Sequence, residues 1–277
     1  MPSFFTSTAE VLHEQHPPRA DRPYRFCRFH LAAPGPLRRL LPLTTIADIE
    51  HEQFDTLVCA GAPAQKWLAN RDPAGDLRAI DTLIHHLCTV RCKVFVLIST
   101  VDVFAHPIGV DEGSPVDEQG LQPYGLHRRR LETFVAGHFP RHLIVRLPGL
   151  VGPGLRKNVV YDLRHDNNLA AVDSRGVFQF YPMVNLWHDI QVALQAGLSL
   201  VHLCAAPISV ADLAWQGFGR ALEQHLPPPP VRYDLRSRHA QLYGANGPYP
   251  YSARDTLLAV RAYAQSEPSL VASEACP

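Results

Sequence analysis

The 277-residue sequence is short of several things, and each shortage removes a class of protein. There is no excess charge: Lys+Arg and Asp+Glu are both 26, so no basic field advertises nucleic acid or an anionic membrane surface. Apolar runs fall far below the ~20 residues that a bilayer-spanning helix needs, so a soluble chain with no membrane partner is expected. The six cysteines (Cys27, Cys59, Cys88, Cys92, Cys204 and Cys276) form no Cys-x-x-Cys pair. Several sit in apolar patterns, as in Leu57-Val58-Cys59-Ala60, and read as reduced thiols of a cytoplasmic protein. Cys88 and Cys92 share a helical spacing but have no further ligands beside them, so no metal is expected. No internal repeat is present. What remains is 46% hydrophobic content, enough for one substantial core or a core with a small lobe.

The informative stretch runs from Val94 to Arg128. Val94-Phe95-Val96-Leu97-Ile98 is apolar without interruption and rich in β-branched types, as a strand buried on both faces should be. It ends in Ser99-Thr100, followed by Val101-Asp102-Val103-Phe104. In an open parallel sheet, ligands bind beyond the carboxyl ends of the strands, which is where this hydroxyl pair would lie. Pro123-Tyr124-Gly125-Leu126-His127-Arg128 follows, and Tyr124 and Arg128 share one helix face at a spacing of four. A phenol titrates near pH ~10 and is a poor base at neutrality. A fixed neighbouring cation favours the phenolate, and moving its pKa by ~3 units corresponds to about 4 kcal/mol. Thr100 is placed to hydrogen-bond a substrate oxygen while Tyr124 passes the proton.

These segments resemble the Ser/Thr…Tyr-x-x-x-Lys signature of extended short-chain dehydrogenases, and within them the NAD-dependent epimerase/dehydratase family. The resemblance extends over about residues 45–265. It implies a Rossmann-like α/β fold, a doubly wound parallel sheet with a degenerate first βα unit and a small α+β substrate lobe. It also implies hydride transfer on a sugar or sugar-nucleotide, with NAD or NADP as cofactor. The catalytic hydroxyl maps onto Thr100, the acid/base onto Tyr124, and the family's lysine is Arg128. Arginine keeps the charge but brings a planar fork, so the exchange is not conservative at a tight site. Ser99 is a cofactor candidate. So are Ala60 and Gly61, in the segment Phe54–Ala62 that reads as a buried strand breaking at small residues, because small residues admit close approach. Leu147, Pro148 and Gly149 join them at the exit of the strand His142–Leu147, before Gly152-Pro153-Gly154.

Residues 1–44 depart from the family. A dinucleotide fold should open with a strand running into a glycine-rich turn whose amides meet the pyrophosphate. Gly35 is the first glycine, and it stands between Pro34 and Pro36. The segment is instead rich in proline and arginine. A targeting leader, divergence that abolished the phosphate loop, or a frame change that replaced the first strand and helix would each produce it. The last two are favoured, because no glycine-rich turn appears downstream, and the cofactor site is expected to be impaired.

Residues 45–154 are expected to form the core and 155–277 mainly the substrate lobe with late core elements. Between Asp76 and Thr89, apolar positions Leu77, Ile80, Leu83, Ile84 and Leu87 mark a helix with one buried face. Residues 105–122 read as loop, and Lys66-Trp67-Leu68 as a segment capping a pocket. Helices are expected over 157–163, from Trp187 to Ala196, from Ser209, and from Ser252 to Tyr263, with a strand at Phe178–Tyr181. Asn158, Gln179 and Tyr181 are candidate substrate contacts, and Arg232 a candidate for a substrate diphosphate. Small-molecule substrate apart, the expected partner is a second copy, since the resembled family commonly pairs through two helices. A different class of function stays open: a catalytically silent relative acting as a binding or scaffold protein.

Overall fold

The computed structural model describes residues 43–267. The expected leader, residues 1–44, lies outside the described residues except for its last two. A 3-10 turn at Leu43–Ile49 delivers Ile49 to the core. After it come β1 (Gln53–Cys59), α1 (Lys66–Arg71), α2 (Pro73–Leu87), β2 (Arg91–Thr100) and β3 (Ile108–Val110). Next are α3 (Pro123–His138), β4 (His142–Leu147) and β5 (Gly149–Val151). The remainder is α4 (Val159–His165), β6 (Val177–Phe178), β7 (Phe180–Pro182), α5 (Leu186–Gln195), β8 (Leu200–His202) and β9 (Ile208–Ser209). It closes with α6 (Val210–Phe218), β10 (Asp234–Leu235) and α7 (Ala253–Ser266).

Four strands form one parallel sheet in the order β1-β2-β4-β8. The uninterrupted apolar run of β2 is explained by its central place, because each face needs its own cover. Val94, Val96 and Ile98 join Leu143, Val145 and Leu147 of β4 and meet Leu186 and Ile190 of α5. On the other face, Phe95 and Leu97 pack with Ile144 against Ile80, Leu83 and Leu87 of α2 and Leu131 and Val135 of α3. The helix period read between Asp76 and Thr89 is thus α2, which starts earlier than expected. Asp72 accepts a hydrogen bond from Gly75 N at 2.9 Å, and Pro73 fits the first helical position.

Three expectations need correction. The segment Phe54–Cys59 is not buried on both faces: Gln53, Asp55 and Thr56 are exposed, because among the described residues β1 lies at a sheet edge. The region 105–122 is not all loop, since β3 pairs in parallel with β10. The strand expected at 178–181 is broken at Gln179 into β6, which pairs antiparallel with β9, and β7, which pairs in parallel with β5. The helices expected from Ser209 and up to Tyr263 are present, and their starts are capped. Ser209 caps α6, and Ser252 with Asp255 makes a capping box at the start of α7.

Leu97 is 1% exposed in the densest part of this layer. Leu97→Ala should lower unfolding free energy by about 2–5 kcal/mol, measured by urea denaturation with an unchanged slope.

Candidate active site

The carboxyl ends of β1, β2 and β4 converge on one edge of the sheet. Thr100 closes β2 and caps the 3-10 turn Val101–Val103, accepting from Asp102 N at 3.1 Å. Its hydroxyl donates to Asp102 Oδ2 at 3.3 Å. The other carboxylate oxygen of Asp102 accepts from Lys66 Nζ at 2.8 Å and from the Tyr233 hydroxyl at 3.3 Å. Burial first, and then the adjacent Asp102 charge, push the Tyr233 phenol well above its ordinary value.

Helix α3 reaches this turn because residue 125 is glycine. A Cβ there would stand 2.0 Å from Asp102 O, an approach that only a residue without a side chain permits. Tyr124, fully buried, donates its backbone N–H to Asn70 Oδ1 of α1 at 3.0 Å. Arg128 lies with its guanidinium carbon 3.8 Å from the centroid of the Tyr124 ring, so the cation meets the phenol's face. Its donors are directed into the protein. One terminal nitrogen bonds Asp76 Oδ2 at 2.5 Å and Tyr124 O at 3.2 Å, and the other bonds Pro63 O. His127 Nδ1 lies 2.6 Å from the same Asp76 oxygen. Arg130 is exposed beside Asp81, whereas Arg129 is half-buried and bonds both Glu118 and the buried Glu132.

Ser99 points to the opposite face from Thr100, donating to Glu132 Oε1 at 2.6 Å. It belongs to a polar row in register across three strands: Ser99, Arg146 and His202. Arg146 grips the fully buried Glu132 through Nε and a terminal nitrogen, at 2.9 and 2.7 Å. His202 N and Ser237 Oγ both donate to Glu112 Oε1, and Arg238 N donates to Oε2. Burial holds the His202 imidazole down at about 4. Arg146 reinforces this, while Glu112 opposes it.

The other residues singled out by sequence lie as follows. Ala60 and Gly61 are half-buried just beyond β1. Leu147 and Pro148 are buried at the end of β4, and Gly149 presses on Gln179 O. Asn158 caps α4, accepting from Val160 N and Tyr161 N while donating to Leu150 O. Gln179, 1% exposed, donates to Ala205 O and Leu235 O and accepts from Leu235 N. Tyr181, fully buried, donates to Asp189 Oδ2 at 2.5 Å, and Tyr251 bonds the same carboxylate. Of these four substrate candidates Arg232 alone has an exposed side chain. Asp102, Tyr233, Asp76 and Glu132 were not legible as site residues. Asp102 carried a signal, since a hydroxyl two residues before an aspartate at a strand end favours a closed turn.

Among the described residues, a dinucleotide meets a divided set of candidates. Small residues at the edge of β1, the Thr100–Asp102 turn and the β4 exit suit it, whereas the side chains of Ser99 and Arg128 are committed elsewhere. No cluster of metal-ligating residues occurs among the described residues.

No family model matches the sequence, and no curated protein matches it. Solved structures do. RMD from Pseudomonas aeruginosa, complexed with NADPH, superposes with a TM-score of 0.63 at 17% identity, covering 83% of this chain and 89% of that one. UDP-glucose 4-epimerase from Thermotoga maritima, with UDP-glucose, gives 0.60 at 14% identity over 80% and 79% of the two chains. A dTDP-4-dehydrorhamnose reductase from Clostridium acetobutylicum gives 0.60 at 18% identity over 82% and 85%. The chain shares the Rossmann-like α/β fold of these structures, the fold class that the resemblance implied.

Two outcomes follow from the polar row. Glu132→Gln leaves the buried Arg146 uncompensated and should cost about 3–5 kcal/mol by chemical denaturation. The folded state keeps His202 unprotonated down to about pH 4, whereas the unfolded chain protonates it near the ordinary 6.5. The unfolded state then binds more protons in this window, so the His202 contribution to stability falls as pH drops through it. His202→Gln should flatten that part of the stability profile relative to the parent.

Proposed function

We propose that the chain is an NAD(P)-dependent oxidoreductase of the epimerase/dehydratase kind, acting on a sugar or sugar-nucleotide. The observation that carries this reading is the placement of Thr100 and Tyr124 on two sides of the Asp102 turn at the carboxyl edge of the parallel sheet. The fold shared with NADPH- and sugar-nucleotide-bound structures supports the same substrate class. Ala60, Gly61, Leu147, Pro148 and Gly149 would border the nicotinamide end, where the cofactor would supply hydride to, or take it from, a carbinol carbon. Tyr124 moves the proton on the substrate oxygen and Thr100 orients that oxygen. Arg232, exposed one residue before Tyr233, is the group we assign to a substrate anion. We place the protein in the cytoplasm as a homodimer; no helix among the described residues is long and apolar enough to cross a membrane.

One observation favours a second reading, a silent relative that binds a partner. The terminal nitrogens of Arg128 and the Ser99 hydroxyl, which the family resemblance would turn toward cofactor, are bonded within the chain. Fluorescence titration with NADPH separates the two, with saturable binding expected of an enzyme. Tyr124→Phe should then lower turnover of dTDP-4-dehydrorhamnose about 10²–10⁴-fold while NADPH affinity stays within a factor of about two. Absence of saturable binding by the full chain would favour the silent relative.

A further inference from the structure

We propose that Lys66 is the cation that positions the Thr100 hydroxyl of this site, acting through Asp102, and that Arg128 is a structural clamp. The inference rests on the oxidoreductase reading above.

The chain contains three lysines, Lys66, Lys93 and Lys157. Lys93 stands on the surface with Asp55, its side chain 80% exposed. Lys66 is different: its side chain is 14% exposed and that of Asp102 is 10% exposed, with 2.8 Å between Nζ and Oδ1. Helix α1 is seated in register with the start of α3. Asn70, one turn beyond Lys66, accepts from Tyr124 N and donates to Gln122 Oε1 at 2.7 Å. The ammonium is therefore held on the same framework as the phenol-bearing turn of α3.

Arg128 cannot serve this purpose in the arrangement observed. It ties together α3, Asp76 of α2 and the carbonyl of Pro63, and its plane lies against the Tyr124 ring. A fork bonded on two sides has little freedom to turn toward a ligand. Lys66 instead fixes the orientation of Asp102, and Asp102 in turn fixes two hydroxyl protons, those of Thr100 and Tyr233. A threonine hydroxyl has one proton and two lone pairs. At Thr100 the proton is directed to Asp102 Oδ2 and one lone pair to Asp102 N, which leaves a lone pair to accept from a substrate hydroxyl. The pair thus holds Thr100, itself 1% exposed, as an acceptor toward the alcohol that reduction of the ketone produces. Lys66 touches no reacting atom in this scheme, so it is a positioning residue.

The test uses the full chain with NADPH and dTDP-4-dehydrorhamnose as probes, comparing Lys66→Gln, Lys66→Arg, Asp102→Asn and Arg128→Lys with Lys93→Gln as control. Lys66→Gln and Asp102→Asn should each lower kcat about 10–100-fold, the scale of a lost charge-assisted hydrogen bond, with NADPH affinity within about twofold. Lys66→Arg should recover most of the rate, and Lys93→Gln should match the parent. Arg128→Lys should lower the denaturation midpoint more than it lowers kcat. A parental kcat in Lys66→Gln, or a failure of Lys66→Arg to recover any rate, overturns the role of Lys66 while leaving the oxidoreductase reading intact. No saturable NADPH binding by the parent overturns that reading and the role of Lys66 with it. Where NADPH binds but this sugar nucleotide is not turned over, isotope-labelled reductive methylation decides. The three lysines and the α-amino terminus each give a methyl signal, and that of Lys66 is identified by its loss in Lys66→Arg. It should shift both on addition of NADPH and in Asp102→Asn; a signal indifferent to either change overturns the proposal.

Discussion

The site depends on how firmly α3 is fixed to the sheet, and the Glu132–Arg146 pair does the fixing. Glu132 is fully buried and Arg146 nearly so, with two hydrogen bonds between them and a third from Ser99. Burying two charges is costly, and only a well-bonded geometry offsets that cost, so this pair specifies a register more than it adds stability. Tyr124 lies eight residues earlier on the same helix, about 12 Å along its axis. Anchoring at Glu132 therefore sets the height at which the phenol meets the end of β2. Gly125 completes the constraint, because the helix can come no closer than its bare Cα allows.

Local sequence showed the framework and hid the wiring. The apolar run of β2, the period of α2 and the Tyr124–Arg128 spacing were legible because each follows from one element's own geometry. The burial of β1 was misjudged because its hydrophobic pattern says nothing about whether a neighbour lies on each edge. β3 escaped notice since Ile108-Gly109-Val110 is too short to show alternation and exists only through β10, more than a hundred residues later. The same is true of the Asp102 cluster. Lys66 and Tyr233 are separated from it by 36 and 131 residues, and no spacing rule connects them. Asn158, Gln179 and Tyr181 looked available as polar residues in a lobe. Their amides and hydroxyl instead close backbone and carboxylate valences inside it.

Arg128 shows why a substitution that conserves charge can still move a function. A guanidinium has donors enough to satisfy a carboxylate and a carbonyl at once, so it becomes a joint between elements. An ammonium has a single compact head and can wait for a ligand. Once the joint exists, a positioning cation must come from another element, and Lys66 on the short α1, paired with Asp102, is in place.

Glu112 has a further consequence for how the edge of the sheet opens. Its carboxylate receives the amides of His202 and Arg238 and the hydroxyl of Ser237, so the segment that carries β3 is latched to the last strand of the main sheet. A latch made of three bonds to one carboxylate does not loosen by degrees, since a small displacement weakens all three together. Release of this segment from the sheet would therefore break all three bonds together.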